Sequence, residues 1–219
     1  MKKEKKKIIW SISLESKTFS DKLSVKTIFY LRKQLDMDVF EAIQKRRSIR
    51  SYIDKPVSRE KLEKILEAGR LAPSARNIQP WHFVAVTNAE KRKILSKGRF
   101  AKFLTQAPLV IAACGDKKNS PDWYAIDVAL AVENMVLTAI SEGLSTCCVG
   151  SFDEKEVRET IGVPEEFEVL VLLAVGYAGE KLDLSSKVLH LIRQRKTLSE
   201  VASEETFGKP LVPQKVEEP

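Results

Sequence analysis

The first 36 residues mix polar and apolar positions with no sustained period, after the opening Lys2-Lys3-Glu4-Lys5-Lys6-Lys7, and read as an extension. Regular patterning begins at Met37. Asp38 stands three residues before Glu41, a capping-box spacing that predicts a short amphipathic helix. From Ser58, a favourable N-cap, Leu62, Ile65, Leu66 and Leu71 recur at helical spacing, and Pro73 ends the helix. Ala72 to Pro80 then has to be a structured loop. Trp81 to Thr87 and Leu109 to Cys114 are β-branched, apolar runs of strand length, separated by a lysine-rich helical segment that starts near Asn88. The longest helical pattern runs from about Trp123 to Glu142 and is apolar on nearly every side, so it has to be central or lie in an oligomer interface. Leu144 to Val149 and Glu168 to Val175 predict two further strands, with a capped helix from Asp153 to Ile161 between them. The sum is an α+β layer fold with helices around one sheet.

Composition narrows the picture. A chain of 219 residues with 43% hydrophobic content can bury one sizeable core and is not disordered for most of its length. The formal net charge of +7 suggests an anionic partner, but residues 1–36 carry ten basic and four acidic side chains and so hold +6 of it. The remainder, 27 basic against 26 acidic, is nearly neutral. A nucleic-acid surface across the folded domain loses its support, and the lysine-rich start alone argues for one. Cys114, Cys147 and Cys148 form no CxxC or Cys/His spacing, and only His82 and His190 could add imidazole ligands. Neither a disulfide framework nor a metal site is expected, and the thiols suit a reducing cytoplasm. No apolar run approaches the ~20 residues of a membrane span, and the start lacks the apolar core of a signal peptide, so a soluble protein is expected.

Three segments carry candidate chemistry. Arg46-Arg47-Ser48-Ile49-Arg50 offers three guanidiniums and a hydroxyl within five residues, a donor set that matches a phosphate; a solvated helix end, where arginines satisfy the dipole, is the other reading. Arg193-Gln194-Arg195-Lys196, ahead of a capping-box-like Thr197 to Glu200, either closes on the same phosphate or forms a surface turn. In the loop from Ala72 to Trp81 two prolines hold the backbone open while Ser74, Asn77 and Gln79 supply neutral donors and acceptors, either to a ligand such as the pyrimidine edge of a flavin or to the loop's own backbone.

RRSIRSY, APSARNIQPWHF some twenty residues on, the helix DVALAVENMVLTAISEGL, the strand and turn CCVGSF and a closing RQRK, taken in this order and spacing over residues 38 to about 208, resemble the FMN-dependent nitroreductase family. The resemblance implies a central, mostly antiparallel sheet flanked by helices, with the long helix at a homodimer interface. It divides the chain into the extension 1–36, an FMN-binding domain at 37–208 and a tail at 209–219. The extension is either an upstream start or a basic arm packing on the dimer.

Residue by residue, the resemblance assigns Arg46, Arg47 and Ser48, joined by Arg193 and Arg195, to the FMN phosphate and ribityl end. Arg50, a lysine in some members, falls beside the N1 and O2 edge, where its charge would stabilise the anionic reduced flavin. Ser74 and Asn77 would reach the flavin from the partner subunit. The backbone N–H groups of Gly150 and Ser151 would approach flavin N5, with Gly150 permitting close contact. No catalytic side chain is implied: NAD(P)H delivers hydride to N5, leaves, and a small acceptor such as a nitroaromatic, a quinone or a flavin is reduced in turn. The alternatives are a related flavin reaction, reductive dehalogenation or flavin cleavage, and a flavin-binding module without turnover. Cys147 and Cys148 stand where the family often has bulkier residues, either as small buried hydrophobes or as redox thiols. The stretch between Phe103 and Trp123 is short for the family, so the resemblance assigns no acceptor.

Overall fold

Four helices begin where the sequence places a side chain that can accept a free N–H of the first turn. Asp38 accepts from Glu41 N at 2.8 Å and opens α1 (Val39–Lys45); Ser58 accepts from Lys61 N and opens α2 (Arg59–Arg70). Asn88 does the same for α3 (Ala89–Leu95) and Asp153 for α5 (Glu154–Ile161), each at 3.0 Å. The long α4 (Tyr124–Ser141) lies between them. In the computed structural model the described residues are 37–179 and 195–211, which divide into two compact units between Ala178 and Gly179. The second unit contains α6 (Leu198–Val201), where Glu200 accepts from the Thr197 N–H at 2.8 Å and completes the expected capping box.

The first unit is built on a four-stranded antiparallel sheet of β1 (Trp81–Val86), β2 (Leu109–Asp116), β3 (Ser145–Val149) and β4 (Phe167–Gly176), in the order β1-β2-β4-β3. The strands expected from β-branched runs are present within one or two residues of the expected ends. Every residue of β2 is buried, because both sheet faces are covered. On one face Val110, Ala112 and Cys114 of β2 and Leu172 and Ala174 of β4 meet Leu95, Leu104 and Val157. On the other, Leu109, Ile111 and Ala113 with Leu173 and Val175 meet Leu62 and Ile65 of α2 and Val128, Val132, Met135 and Val136 of α4. Each such aliphatic side chain contributes about 1.5–3 kcal/mol on full burial. A register shift between Ala113 and Cys114 leaves Leu170 of β4 without a partner on β2, a bulge that periodicity alone does not reveal.

Helix α4 is less uniform than its sequence implies. Eight of its residues, Asp127 among them, are buried, whereas Ile126 and Leu130 are exposed and the adjoining Trp123 is half-exposed at 52%. Among the described residues α4 alone is long and apolar enough, by length and composition, to cross a membrane, closer to that limit than the sequence reading allows; its inner face packs on the sheet instead.

Cys147 points into the core, but Cys148, expected to be buried if both were small core residues, is exposed. Alternation along β3 explains the split. Although Cys148 reaches the surface, the protein packed around it still desolvates its thiolate, and this with the neighbouring Cys147 and the charge of Glu133 pushes the thiol up to about 11, against a smaller pull from Arg46. The thiolate is the reactive form, so raising the pKa depletes it at neutral pH.

Tyr52 closes the sheet's β3–β4 end. Its buried hydroxyl donates to Ile49 O at 2.7 Å, and burial raises its pKa far above the usual phenol value, so it stays a neutral donor. Tyr52→Phe strands the Ile49 carbonyl, and urea unfolding should show a loss of about 1–2 kcal/mol; an unchanged midpoint would remove this bond from the account. Alkylation of Cys148 by iodoacetamide in the folded chain should still accelerate about tenfold per pH unit between pH ~8 and ~10. A plateau near the ordinary thiol value of 9.0 would contradict the raised pKa.

Candidate functional site

The basic strip leaves α1 and joins the sheet. At the end of α1 the Arg46 N–H donates to Ala42 O, and the Arg47 side chain donates from Nη1 to Gln44 O at 2.7 Å and Arg46 O at 2.8 Å. Arg47 therefore satisfies the carbonyls of the helix end, as the solvated-end reading anticipates. The chain then runs beside edge strand β3: Ser48 pairs with Thr146 in parallel, and Ile49 N–H donates to Thr146 O at 2.9 Å. Ile49 packs on the core, so alternation turns Ser48 and Arg50 away from it. Arg46 and Arg50 are half-buried and Ser48 is exposed. The charge of Arg46 is felt at the Cys148 thiol of β3 and that of Arg50 at the Tyr52 hydroxyl, in each case as a pull that lowers the pKa.

Because the pairing is parallel, residues 48–50 run in the direction of β3, towards the turn that follows Val149. Gly150 is exposed there, and a Cβ added to it would meet nothing within 4 Å, so the space in front of the turn is open. Ser151 is held from behind. Its carbonyl lies so close to Gly98 that a Cβ on Gly98 would fall 1.8 Å from the oxygen, and an ion pair between Lys97 and Glu156 joins the flanking segments. Only glycine fits at position 98.

The loop after α2 forms a separate group. Ser74 is extended, Ala75–Asn77 make one 3₁₀ turn, and Arg76, Asn77 and Gln79 all take left-handed φ values of 52°, 56° and 55°. Asn tolerates that region, whereas for Arg and Gln it costs on the order of 1–3 kcal/mol each. The loop is tied down at several points. Ser74 Oγ accepts from Gln79 N–H at 2.9 Å, and Asp116 N–H donates to Pro80 O at 2.7 Å. Ala75 N–H donates to both carboxylate oxygens of Asp127, at 3.2 and 3.3 Å. Ser74 thus serves its own backbone while its hydroxyl proton remains available to donate outward. Ser74 is half-buried and Asn77 is exposed.

The first unit therefore gathers Arg46, Arg47, Ser48 and Arg50 with Gly150 and Ser151 along one sheet edge, and holds Ser74 and Asn77 at the first turn of α4. Arg195, in the second unit, is exposed; Arg193 lies outside the described residues. Sequence reasoning missed Asp127 and Gly98. Asp127 carried a signal, an acid among the apolar residues of α4; Gly98, a lone glycine in a lysine-rich segment, carried none.

The sequence profile described as "Nitroreductase family" matches residues 43–98 and 95–177, together more than half of the chain and all of the site residues except those near the C-terminus. A protein of Archaeoglobus fulgidus named "Putative NADH dehydrogenase/NAD(P)H nitroreductase" is 37% identical over 154 residues, covering 67% of this chain and 88% of its own length. Among solved structures, one of the same name from Parabacteroides distasonis is 28% identical with a TM-score of 0.68, covering 77% of this chain and 98% of that one. A Clostridium difficile protein titled "FMN-dependent Nitroreductase" is 31% identical with a TM-score of 0.61, covering 71% and 98%. The helix-flanked antiparallel sheet, the strip on β3 and the loop after α2 lie within the matched segments, and the chain belongs to the nitroreductase family and is an oxidoreductase.

Proposed function

We propose that this chain binds FMN beside β3 and uses it to carry hydride from NADH or NADPH to a small acceptor, a nitroaromatic, a quinone or a free flavin, in a ping-pong cycle. The observation that carries the reading is the parallel pairing of Ser48 and Ile49 with Thr146, which runs a guanidinium-rich strip towards the open turn at Gly150. A Bacillus subtilis relative named "FMN reductase [NAD(P)H]", 27% identical, supports both the cofactor and the donor.

The residues present fit the group. Guanidiniums and a hydroxyl match a phosphate in charge and in fixed donor geometry, and Arg46 with Ser48 would hold it; the family resemblance adds Arg193 and Arg195 to this assignment. Arg47 would have to release the Gln44 and Arg46 carbonyls to take part, so Arg46 carries more of the assignment. Arg50 would place a permanent positive charge by the ring, favouring negative charge that develops there. Gly150 and Ser151 would present backbone N–H groups, and the absence of a side chain at 150 leaves room for close approach. Bound FMN supplies the redox chemistry, which explains why no side-chain nucleophile is needed.

The reading includes a homodimer in which Ser74 and Asn77 contact the cofactor across the interface. Its support is the apolar surface left uncovered on one protomer: Trp123, Ile126 and Leu130 around α4, with Val39 and Phe40 of α1 and Leu71 after α2, the last three between 63% and 70% exposed. The proposed domain is 37–208, and three free thiols suit a cytoplasmic setting.

Two measurements test the proposal. The double variant R46A/R195A should purify without flavin and bind added FMN at least about a hundredfold more weakly, as expected for loss of two charge-assisted contacts; full FMN retention would end the phosphate assignment. Initial rates with varied NADH and a quinone should give parallel double-reciprocal lines. Intersecting lines would contradict the ping-pong cycle.

A further inference from the structure

We infer that Asp127 is a positioning residue: its buried carboxylate on the first turn of α4 fixes the Ala75 N–H and so holds Ser74 and Asn77 in the shape that meets the cofactor. The inference rests on the cofactor reading above and goes beyond it, since Asp127 would touch neither FMN nor substrate.

Asp127 is 2% exposed, and a carboxylate is buried only where hydrogen bonds compensate its lost hydration. An acid in the first turn of a helix also benefits from the dipole, but for that alone it could remain at the surface. Its side chain instead reaches a backbone N–H 52 residues away in sequence, with both oxygens within 3.3 Å of Ala75 N. No ion pair engages it among the described residues. The donor sits at a sensitive point. Ala75 begins the 3₁₀ turn, and the left-handed Arg76, Asn77 and Gln79 follow at once. Non-glycine residues keep such conformations only where their surroundings over-determine them.

The loop's other ties cannot do this. The bonds from Gln79 N–H to Ser74 Oγ, Asn77 N–H to Ser74 O and Ile78 N–H to Ala75 O close the loop on itself, that from Ala72 N–H to Gly69 O only continues α2, and that from Asp116 N–H to Pro80 O fixes only its exit. Among the described residues, the Asp127 bond is the one that fastens the loop after Ser74 to a sheet-packed helix other than α2. Without it, Ser74 and Asn77 would remain in the chain but lose their fixed direction.

The test removes the bond from each side. Asp127→Leu keeps the shape and deletes the acceptor; Ala75→Pro deletes the donor and leaves the acid in place. Proline is compatible there, because Ser74 has ψ 153° and position 75 is the first of its turn. Asp127→Asn retains an acceptor oxygen and serves as the conservative rescue. FMN affinity is read by quenching of flavin fluorescence, and hydrogen exchange is read on the cofactor-free chain. D127L and A75P should each weaken FMN binding about tenfold, the double variant no further, because both remove one interaction. Exchange should quicken over residues 74–79 and stay unchanged in α4 and the sheet, and D127N should bind FMN nearly as the wild type does. Wild-type FMN affinity in D127L and A75P would overturn the inference, as would exchange that quickens throughout the unit, the mark of a merely structural acid. A wild-type chain that takes up no FMN would overturn the cofactor reading first and this inference with it.

Discussion

The short parallel pairing of Ser48 and Ile49 with Thr146 is the contact on which the site depends. An edge strand offers unpaired N–H and C=O groups, and β3 uses some of them to capture the chain leaving α1. That capture turns a basic helix end into part of the sheet. Ile49 is drawn into the core, Ser48 and Arg50 are directed away from it, and Tyr52 secures the segment from behind through the Ile49 carbonyl. The direction of the pairing also matters: a parallel run leads towards Gly150, whereas an antiparallel run would lead the arginines away from it. Two backbone groups thus line up local charge along the edge of the candidate site.

The loop after α2 obeys a different constraint. Its left-handed Arg76 and Gln79 store conformational energy that the loop's own sequence does not relieve, and the compensation comes from outside it, through Asp127 and Asp116. Asp116 is itself held in place: its carboxyl accepts from the Lys118 and Asn119 N–H groups and from the Asn119 side chain, and although burial pushes its pKa up, these bonds hold it below the usual range. A strained loop fastened to a buried helix suits a binding element, since its polar side chains arrive oriented and less freedom is lost when a ligand meets them.

Most of the secondary structure was legible because its causes are local. Asp38, Ser58, Asn88 and Asp153 each cap a helix with their own side chain, and the β-branched runs of β1, β2 and β4 announce themselves. The motif order disclosed the family for the same reason. What the sequence concealed is long-range. Nothing near Ser48 says that its partner is Thr146, nothing near Ala75 says that its N–H is taken by an acid 52 positions on, and nothing near Gly98 foretells a carbonyl against its Cα. Alternation on β3 could have separated Cys148 from Cys147, but only once the covered face was known. The Arg47 guanidinium donates to the Gln44 and Arg46 carbonyls, an arrangement that the helix-end reading of the basic strip makes visible from local sequence.

If this sheet edge holds a flavin, a nicotinamide donor should be able to reduce it. The most direct test is the visible absorption spectrum of the chain after incubation with FMN and removal of the excess, recorded without oxygen before and after adding a stoichiometric amount of NADH or NADPH. The expected result is a protein-bound flavin band that one of the two donors bleaches. A colourless protein, or a bound flavin that neither donor reduces, would contradict it.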